Sequence, residues 1–375
     1  MDRIPFLRPN PAKLSEAIEE LREIEASGVF SNFGPVNTRL ERDLERSMFG
    51  GTGHCVTVCN ATIGLMIAIK RCVAREKTPR RFALMPSFTF AATAHAALWA
   101  GLTPLLCDIE SDSFIPAADA ETQLLEKYAG DIAVMIPCTT FGNTIDLARY
   151  ERLSAKYGVP VVVDAAAALG TLNNDGTGFG VGFRSAVVFS MHATKAVATT
   201  EAGVIYCADP EVVREIRGMA NFGFGEARAA VMPGLNAKLN EITALMALLK
   251  LREIESVITH RAALAQHYEA QLPELVFQRL IGRRHAFTFV SALLPNEMAH
   301  SRRELLAELS RSGVELRTYF SPHLAEQPYF RTACVTGDLH NTEDVGRRII
   351  SLPLSDFMTR TDVERVGTLL HEAGI

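Results

Sequence analysis

Two side chains in the middle of the sequence could together perform amine chemistry. Asp164 ends the β-branched run 159–163, and Lys195 follows the next apolar run, 186–189. A lysine amine can form an imine with an aldehyde, and a carboxylate at a strand end can keep a pyridine nitrogen protonated. Each residue alone has an ordinary explanation, because strand-end aspartates usually form caps or turns and most lysines lie on the surface.

A second group of residues has the composition of a phosphate site. Asn60, Ala61 and Thr62 follow the run 56–58 and open a predicted helix, whose N-terminal N–H groups could hold a phosphate dianion. Asn60 alone would be an ordinary N-cap. Ser190 follows the run 186–189. Because ligands of open α/β sheets bind beyond the carboxyl ends of the strands, these residues are expected to meet at one edge.

Together these residues meet the requirements of pyridoxal 5′-phosphate (PLP), which are a Schiff-base lysine, an acid for the pyridine nitrogen and a phosphate cup. The sequence contains no Walker A motif, no H-E-x-x-H and no G-x-S-x-G. The glycines of 178–182 alternate and do not have G-x-G-x-x-G spacing. The sequence therefore predicts PLP as the cofactor and no metal.

An alternation of strands and helices between about residues 40 and 240 must position these groups. The predicted strands are Phe82–Met85, Thr103–Cys107, Ile132–Ile136, Pro160–Val163, Ala186–Phe189 and Val204–Cys207. Helical spacing recurs between them at 40–48, 61–74, 91–100, 118–128 and 147–157. This alternation predicts a largely parallel sheet with helices on both faces.

The C-terminal third has a different pattern. Helical spacing runs without a break over 238–272, and further elements are predicted as strands at 287–293 and 314–318 and helices at 301–312 and 361–372. We therefore expect a large domain over residues 1–245 and a smaller α+β domain over 246–375, with the long helix as the hinge between them.

Composition excludes several classes of protein. The chain has 48% hydrophobic and 22% charged residues and a net charge of −5, which is typical of a globular protein. Its basic residues form no run, which argues against nucleic acid as a partner. No uninterrupted apolar stretch is long enough for a membrane span. Seven scattered cysteines without a C-x-x-C indicate reduced thiols, so we expect a cytoplasmic location.

The order of short motifs along nearly the whole chain resembles the DegT/DnrJ/EryC1/StrS family of PLP-dependent sugar aminotransferases. The matching segments are Ser31–Pro35, Asn60–Thr62, Pro86–Thr93, Gly101–Pro104, Asp108-Ile109, Val163–Ala166, Phe189–Lys195, Glu201–Gly203, Asn221–Gly223, Gly234–Lys238, Tyr319–His323, Gln327–Tyr329 and Ser351–Leu354. The resemblance implies an α/β protein of PLP-dependent transferase fold type I. This fold has a large, mostly parallel-sheet α/β/α domain and a smaller C-terminal α+β domain.

The same resemblance implies roles for individual residues. Lys195 would carry the Schiff base, Asp164 would pair with the pyridine nitrogen, Phe90 would stack on the ring, and Ala61, Thr62 and Ser190 would bind the phosphate. Asn236 corresponds to a phosphate contact donated by the partner subunit, and Lys238 stands where the family usually has arginine, which together imply a homodimer with shared active sites. His192 and His323 are weaker candidates for the pocket wall and for substrate contacts.

Three positions depart from the family pattern. Ala167 stands where the family usually has glutamine or histidine beside the ring's 3′-oxygen, Ala196 replaces a common asparagine, and Ala202 replaces a glycine. None of these changes removes the lysine or the carboxylate, so imine chemistry is retained.

The implied reaction moves an amino group from L-glutamate to a nucleotide-linked keto-deoxysugar, with a 4-keto-6-deoxyhexose favoured over a 3-keto sugar. Such products serve deoxyamino sugar, polysaccharide or antibiotic biosynthesis. Three alternatives remain open: a keto-cyclitol acceptor, sugar dehydration, and a regulatory protein that keeps the fold without turnover. Lys195 argues against dehydration, because relatives that dehydrate sugars carry histidine there.

Overall fold

The computed structural model of the protein describes residues 3–74 and 79–375. The strands are, in chain order, β1 (His54–Val58), β2 (Phe82–Pro86), β3 (Thr103–Cys107), β4 (Ile132–Met135), β5 (Val162–Asp164), β6 (Ala186–Ser190), β7 (Gly203–Cys207), β8 (Val276–Phe277), β9 (Val290–Leu293), β10 (Val335–Thr336) and β11 (Ile349–Leu352).

The α-helices are α1 (Ile18–Ser27), α2 (Pro35–Phe49), α3 (Ala61–Val73), α4 (Ala91–Trp99), α5 (Ala118–Tyr128), α6 (Leu147–Tyr157), α7 (Pro210–Met219), α8 (Glu241–Leu251), α9 (Ile254–Gln271), α10 (Arg302–Arg311), α11 (Phe330–Ala333), α12 (His340–Arg348) and α13 (Arg360–Glu372). Short 3-10 turns lie at Leu14–Glu16, Thr140–Gly142, Asn296–Ser301 and Leu324–Glu326. No helix in the described ranges is long and apolar enough to cross a membrane.

Most of the strands form two sheet segments that meet edge to edge. One segment has the order β10-β3-β2-β4 and is parallel throughout, and the other has the order β1-β7-β6-β5. Single bridges from Met135 to Val161 and from Cys138 to Asp164 join β4 to β5. Only β7 runs against its neighbours, so the predicted mostly parallel sheet is confirmed.

Burial on both faces explains why these strands are nearly uniform in apolar character. β2, β4, β6 and β7 are buried along their whole length. One apolar cluster covers the face that packs on α2 and α8 and includes Leu40 and Leu248, and a second cluster with Leu65 covers the opposite face. Continuous burial of this kind is what a sheet with helices on both faces requires.

The C-terminal region forms a second, smaller sheet. β11, β9 and β8 pair antiparallel, and they share an apolar core with α9, α10 and α13. The strand predicted at 287–293 begins only at Val290, and before it the carbonyl oxygen of Phe287 accepts a hydrogen bond from Arg261 Nη1 at 2.8 Å. The strand predicted at 314–318 is wrong: Val314 and Arg317 make single bridges to different segments, with Ile4 and Ser351.

The prediction of one continuous helix over 238–272 is also wrong. The side chain of Asn240 caps α8 by accepting the N–H of Thr243 at 2.8 Å, so Lys238 stays in the preceding loop. α8 ends at Leu251, and α9 begins at Ile254. The apolar spacing continues across this break, which is why the sequence pattern alone does not reveal it. The domain boundary at residue 245 stays a prediction.

Candidate active site

The predicted site residues converge at one edge of the large sheet. Asp164 and Ser190 are the last residues of β5 and β6, which run parallel, and Asn60 follows the end of β1. A cavity of about 670 Å³ opens there. Its lining includes seven of the ten predicted site residues, namely Ala61, Thr62, Phe90, Asp164, Ser190, His192 and Lys195.

The N-terminus of α3 forms one wall of this cavity. Asn60 Oδ1 accepts the N–H of Ile63 at 2.9 Å, which leaves the first N–H groups of the helix, those of Ala61 and Thr62, without a carbonyl partner in the helix. Gly203 packs directly behind this turn, where a Cβ would lie 2.7 Å from the backbone nitrogen of Ala61. Glycine at position 203 lets its strand pack closely against this turn, and the free N–H groups of the turn fit a phosphate group.

The carboxylate of Asp164 is held by two hydrogen bonds in a buried position. Thr93 Oγ1 donates to Asp164 Oδ2 at 2.6 Å, and the N–H of Ala166 donates to Oδ1 at 3.1 Å. Burial raises the pKa of Asp164, while these hydrogen bonds and the nearby charge of Lys195 act in the opposite direction. A buried anion with this environment fits a protonated ring nitrogen as its partner.

The amine of Lys195 is tuned toward its neutral form. Burial lowers its pKa to about 8 and the charge of Arg261 adds to that effect, although the charge of Asp164 opposes it. A neutral amine is the form that attacks a carbonyl carbon. The site therefore fits PLP. Lys195 suits its aldehyde, Asp164 suits its ring nitrogen, and the first turn of α3 suits its phosphate.

A family comparison decides which chemistry this arrangement serves. Residues 11–371 match the model of the DegT/DnrJ/EryC1/StrS aminotransferase family. The chain belongs to this family. It is a PLP-dependent aminotransferase, and PLP is its cofactor.

Individual relatives agree with this assignment over the full chain. Protein Rv3402c of Mycobacterium tuberculosis is 32% identical over 378 residues, which cover all of this chain and 90% of that protein. A structure from Bacillus cereus ATCC 10987, assigned as a PLP-dependent aminotransferase, is 35% identical with a TM-score of 0.93 and covers 99% of this chain and 100% of its own. The structure of DesI, solved with its TDP-sugar product, is 28% identical with a TM-score of 0.88 and covers 100% of this chain and 93% of its own. The predicted fold type is confirmed.

Two of the predicted pocket residues lie at the mouth of the aminotransferase cavity. The side chain of Phe90 is 57% exposed, and its ring centroid lies 6.2 Å from that of Phe320. His192 Nδ1 lies 3.0 Å from Thr194 Oγ1, and its Nε2 lies 3.6 Å from a carboxylate oxygen of Glu201. Both positions suit contacts with a bound ring or with substrate.

The prediction for His323 needs correction. This side chain is buried outside the cavity lining, and its Nδ1 lies 2.9 Å from Ser87 Oγ. The residue begins the 3-10 turn Leu324–Glu326, and its backbone N–H binds Glu326. His323 therefore fixes the loop 319–327 against Ser87, the residue after β2, and it does not line the cavity.

Asn236 and Lys238 also lie outside the cavity of their own chain. Lys238 Nζ donates to Asn221 Oδ1 at 3.1 Å, and Asn221 pairs with Asn236 in a single bridge. Asn236 is exposed. The structure thus brings these two residues together with each other but not with Lys195 or Asp164.

Sequence reasoning missed the polar residues that support Asp164. Thr93 is fully buried on α4, and Thr89 and Cys138 lie next to it. A signal existed for Thr93, since it is the one hydroxyl-bearing residue in the alanine-rich run 91–97. For Cys138 no local signal exists, because it reaches the site only through the pairing of its strand end with Asp164.

Proposed function

We propose that this aminotransferase moves an amino group from L-glutamate to the keto carbon of a nucleotide-linked keto-deoxysugar, most simply a 4-keto-6-deoxyhexose. The observation that carries the proposal is a second cavity of about 650 Å³ that continues from the first. The TDP-sugar product bound by DesI, a relative of 28% identity, supports the same acceptor class.

The second cavity has the chemistry of a nucleobase site. The two cavities share four lining residues, Thr89, Phe90, Tyr319 and Phe320, so one molecule can extend from one into the other. Further rings line the second cavity, those of His95, Tyr329 and Phe330. None of its described lining residues carries a carboxylate, a lysine or an arginine. Aromatic side chains without charge suit a stacked heteroaromatic base.

The chemistry of the reaction depends on the bound cofactor. PLP supplies an aldehyde carbon that links covalently to amines and a protonated ring that accepts electrons when a neighbouring carbon loses its proton. The remaining tasks fall to the protein, which must hold the cofactor, orient it and move the proton.

Three groups of this chain divide those tasks. Lys195 would hold the cofactor through its Nζ amine, and the same amine, when free, would carry the proton as general base and general acid. Asp164 keeps the ring nitrogen protonated, because its buried anion stabilises the neighbouring positive charge. The N–H groups of Ala61 and Thr62, with the hydroxyl groups of Thr62 and Ser190, hold the phosphate.

The charge of the cavity supports the proposal that a single chain does not complete the site. Among the described lining residues, Lys195 and, when protonated, His192 are the cationic side chains, and Asp164 and Glu201 oppose them. A phosphate dianion and a dicarboxylate donor require more positive charge than this. We infer that a second copy of the chain supplies Lys238, which carries a positive charge, and Asn236, whose amide can donate to the phosphate. The active protein would then be a homodimer with shared sites.

Complementation between two inactive variants tests this sharing. A purified heterodimer of a Lys195→Ala chain and an Asn236→Ala/Lys238→Ala chain contains one fully native site, so it should recover about half of wild-type activity. Each variant homodimer alone should stay well below that level. Heterodimer activity equal to the mean of the two variant homodimers would show that the residues act within their own chain.

Removal of one exposed ring tests the nucleobase site. Tyr329 is 59% exposed, so Tyr329→Ala should leave folding intact while raising KM for the nucleotide-sugar acceptor about 10-fold, since a base–aromatic stack is worth ~1–3 kcal/mol. KM for L-glutamate should not change. Trp99→Ala is the matched control, because Trp99 is 76% exposed on the same helix as His95 and lies outside the cavity.

An amination assay separates the candidate functions. L-Glutamate is offered with a panel of TDP-, UDP- and GDP-linked 4-keto and 3-keto sugars, and amine transfer to one of them is the expected result. Transfer only to a keto-cyclitol would replace the proposed acceptor. Failure with every nucleotide-linked acceptor despite bound PLP would overturn the proposed acceptor class.

The domain division at residue 245 and the cytoplasmic location belong to the same proposal. The separate apolar core of β8, β9, β11, α10 and α13 supports a C-terminal domain. The seven cysteines are scattered without a C-x-x-C, and this spacing supports a reducing compartment.

A further inference from the structure

Asp164 stands at the end of a small buried hydroxyl network that the chemistry above does not use. Thr93 Oγ1, which donates to Asp164 Oδ2, lies 3.1 Å from Thr89 Oγ1, and Thr89 Oγ1 lies 3.2 Å from Cys138 Sγ. Thr93 is fully buried on α4, and Thr89 is 5% exposed in the preceding loop. Two separate segments of the chain, one with Thr89 and Thr93 and one with Cys138, thus meet beside the carboxylate of Asp164.

The direction of the central hydrogen bond follows from the chemistry of its partners. An ionised carboxylate only accepts hydrogen bonds, and a threonine hydroxyl has one proton to donate. The proton of Thr93 is therefore committed to Asp164. The single hydroxyl proton of Thr89 has two acceptors within reach, Cys138 Sγ at 3.2 Å and Thr93 Oγ1 at 3.1 Å.

We propose that Thr93 is a positioning residue for the reaction, which keeps Asp164 ionised and fixes the plane of its carboxylate toward the cofactor's ring nitrogen. This proposal rests on the role assigned to Asp164 and is independent of the acceptor's identity. Two donors, Thr93 on α4 and the Ala166 N–H after β5, hold one oxygen each, so the carboxylate cannot rotate without losing both hydrogen bonds.

Burial makes this support necessary. Asp164 is 8% exposed, and an ionised carboxylate in such a position is costly unless donors or opposite charges compensate. The titratable groups that act on it are few: Lys195 after β6 favours the anion, and Cys138 after β4 stays a neutral thiol because burial raises its pKa. α4 contributes only the uncharged hydroxyl of Thr93.

The isosteric variant Thr93→Val tests the proposal, with Thr93→Ser as the conservative rescue. In the PLP-free protein, the infrared band of the protonated carboxyl, identified by its loss in Asp164→Asn, should titrate at higher pH in Thr93→Val than in wild type. Thr93→Ser should titrate as wild type does. In the loaded enzyme, kcat of Thr93→Val should fall about 10- to 100-fold, the range expected for a lost hydrogen bond to a charge. KM for either substrate should stay within about 2-fold, as expected for a group that does not touch substrate.

Thr93→Ala keeps the test decisive if the valine variant does not fold. An unchanged carboxyl titration in the folded variants would overturn the proposal and assign Thr93 a purely structural role. A shifted titration together with normal turnover of Asp164→Asn would instead refute the role of Asp164 itself. The two failures are therefore distinguishable.

Discussion

In the Lys195→Ala variant, kcat should fall at least ~10³-fold. The visible absorbance that comes from the covalent link to PLP should disappear. One side chain performs two tasks here, since the amine both binds the cofactor and carries the proton. Absorbance spectra of the purified protein and steady-state kinetics with L-glutamate measure the two effects. A variant that keeps both its colour and its turnover would refute the assignment.

Two further variants separate covalent chemistry from charge. Lys195→Arg preserves a positive charge beside Asp164 but has no amine that can form the link, so it should be as inactive as the alanine variant. Lys156→Ala removes an exposed lysine of α6 and should behave as wild type. Substantial activity in Lys195→Arg would mean that the charge alone is needed.

The low pKa of Lys195 predicts the pH dependence of cofactor uptake. Because the neutral amine is the reactive form and its pKa is about 8, the rate at which the PLP-free protein binds PLP covalently should rise as pH increases through that value. In Asp164→Asn the opposing negative charge is gone, so the midpoint should move to lower pH. Stopped-flow absorbance measures both rates.

The strands and their ends could be read from the sequence because β-branched runs mark fully buried parallel strands. Asp164, Ser190 and Asn60 were placed correctly relative to the sheet for that reason. Periodicity was less informative in the C-terminal region. It did not reveal the break between α8 and α9, since apolar spacing continues through Arg252 and Glu253.

The remaining features depend on contacts between distant segments. Thr93 reaches Asp164, and His323 reaches Ser87, only because strand order places their segments side by side. The second cavity forms between the start of α4 and the loop 319–330, which lie far apart in the chain. Local propensity carries no information on such pairings. The sequence could therefore place residues at the ends of strands, but it could not predict these contacts between distant side chains.

The Asp164→Asn variant should have a lower kcat than wild type and a higher free energy of unfolding. The amide keeps the shape of the side chain but has no charge, so it cannot hold the ring nitrogen protonated, and kcat should fall roughly 10²- to 10³-fold while PLP stays bound through Lys195 and the phosphate cup. Kinetics and retained absorbance after dialysis measure this result. Normal turnover would exclude the ion pair with the ring.

Without PLP, the same Asp164→Asn variant should be more stable than the wild-type protein, although its kcat is lower. Burial raises the pKa of Asp164 in the folded state above its unfolded value, so between these two values the folded protein binds more protons than the unfolded chain, and the free energy of unfolding falls as pH rises. The amide side chain of the Asp164→Asn variant has no such titration. Unfolding in urea from about pH 4 upward should therefore show that the stability advantage of Asp164→Asn over the wild-type protein grows with pH. If the difference in free energy of unfolding between Asp164→Asn and wild type does not depend on pH, burial does not destabilise the ionised carboxylate. The ionised carboxylate beside the cofactor would then not lower the stability of the folded protein.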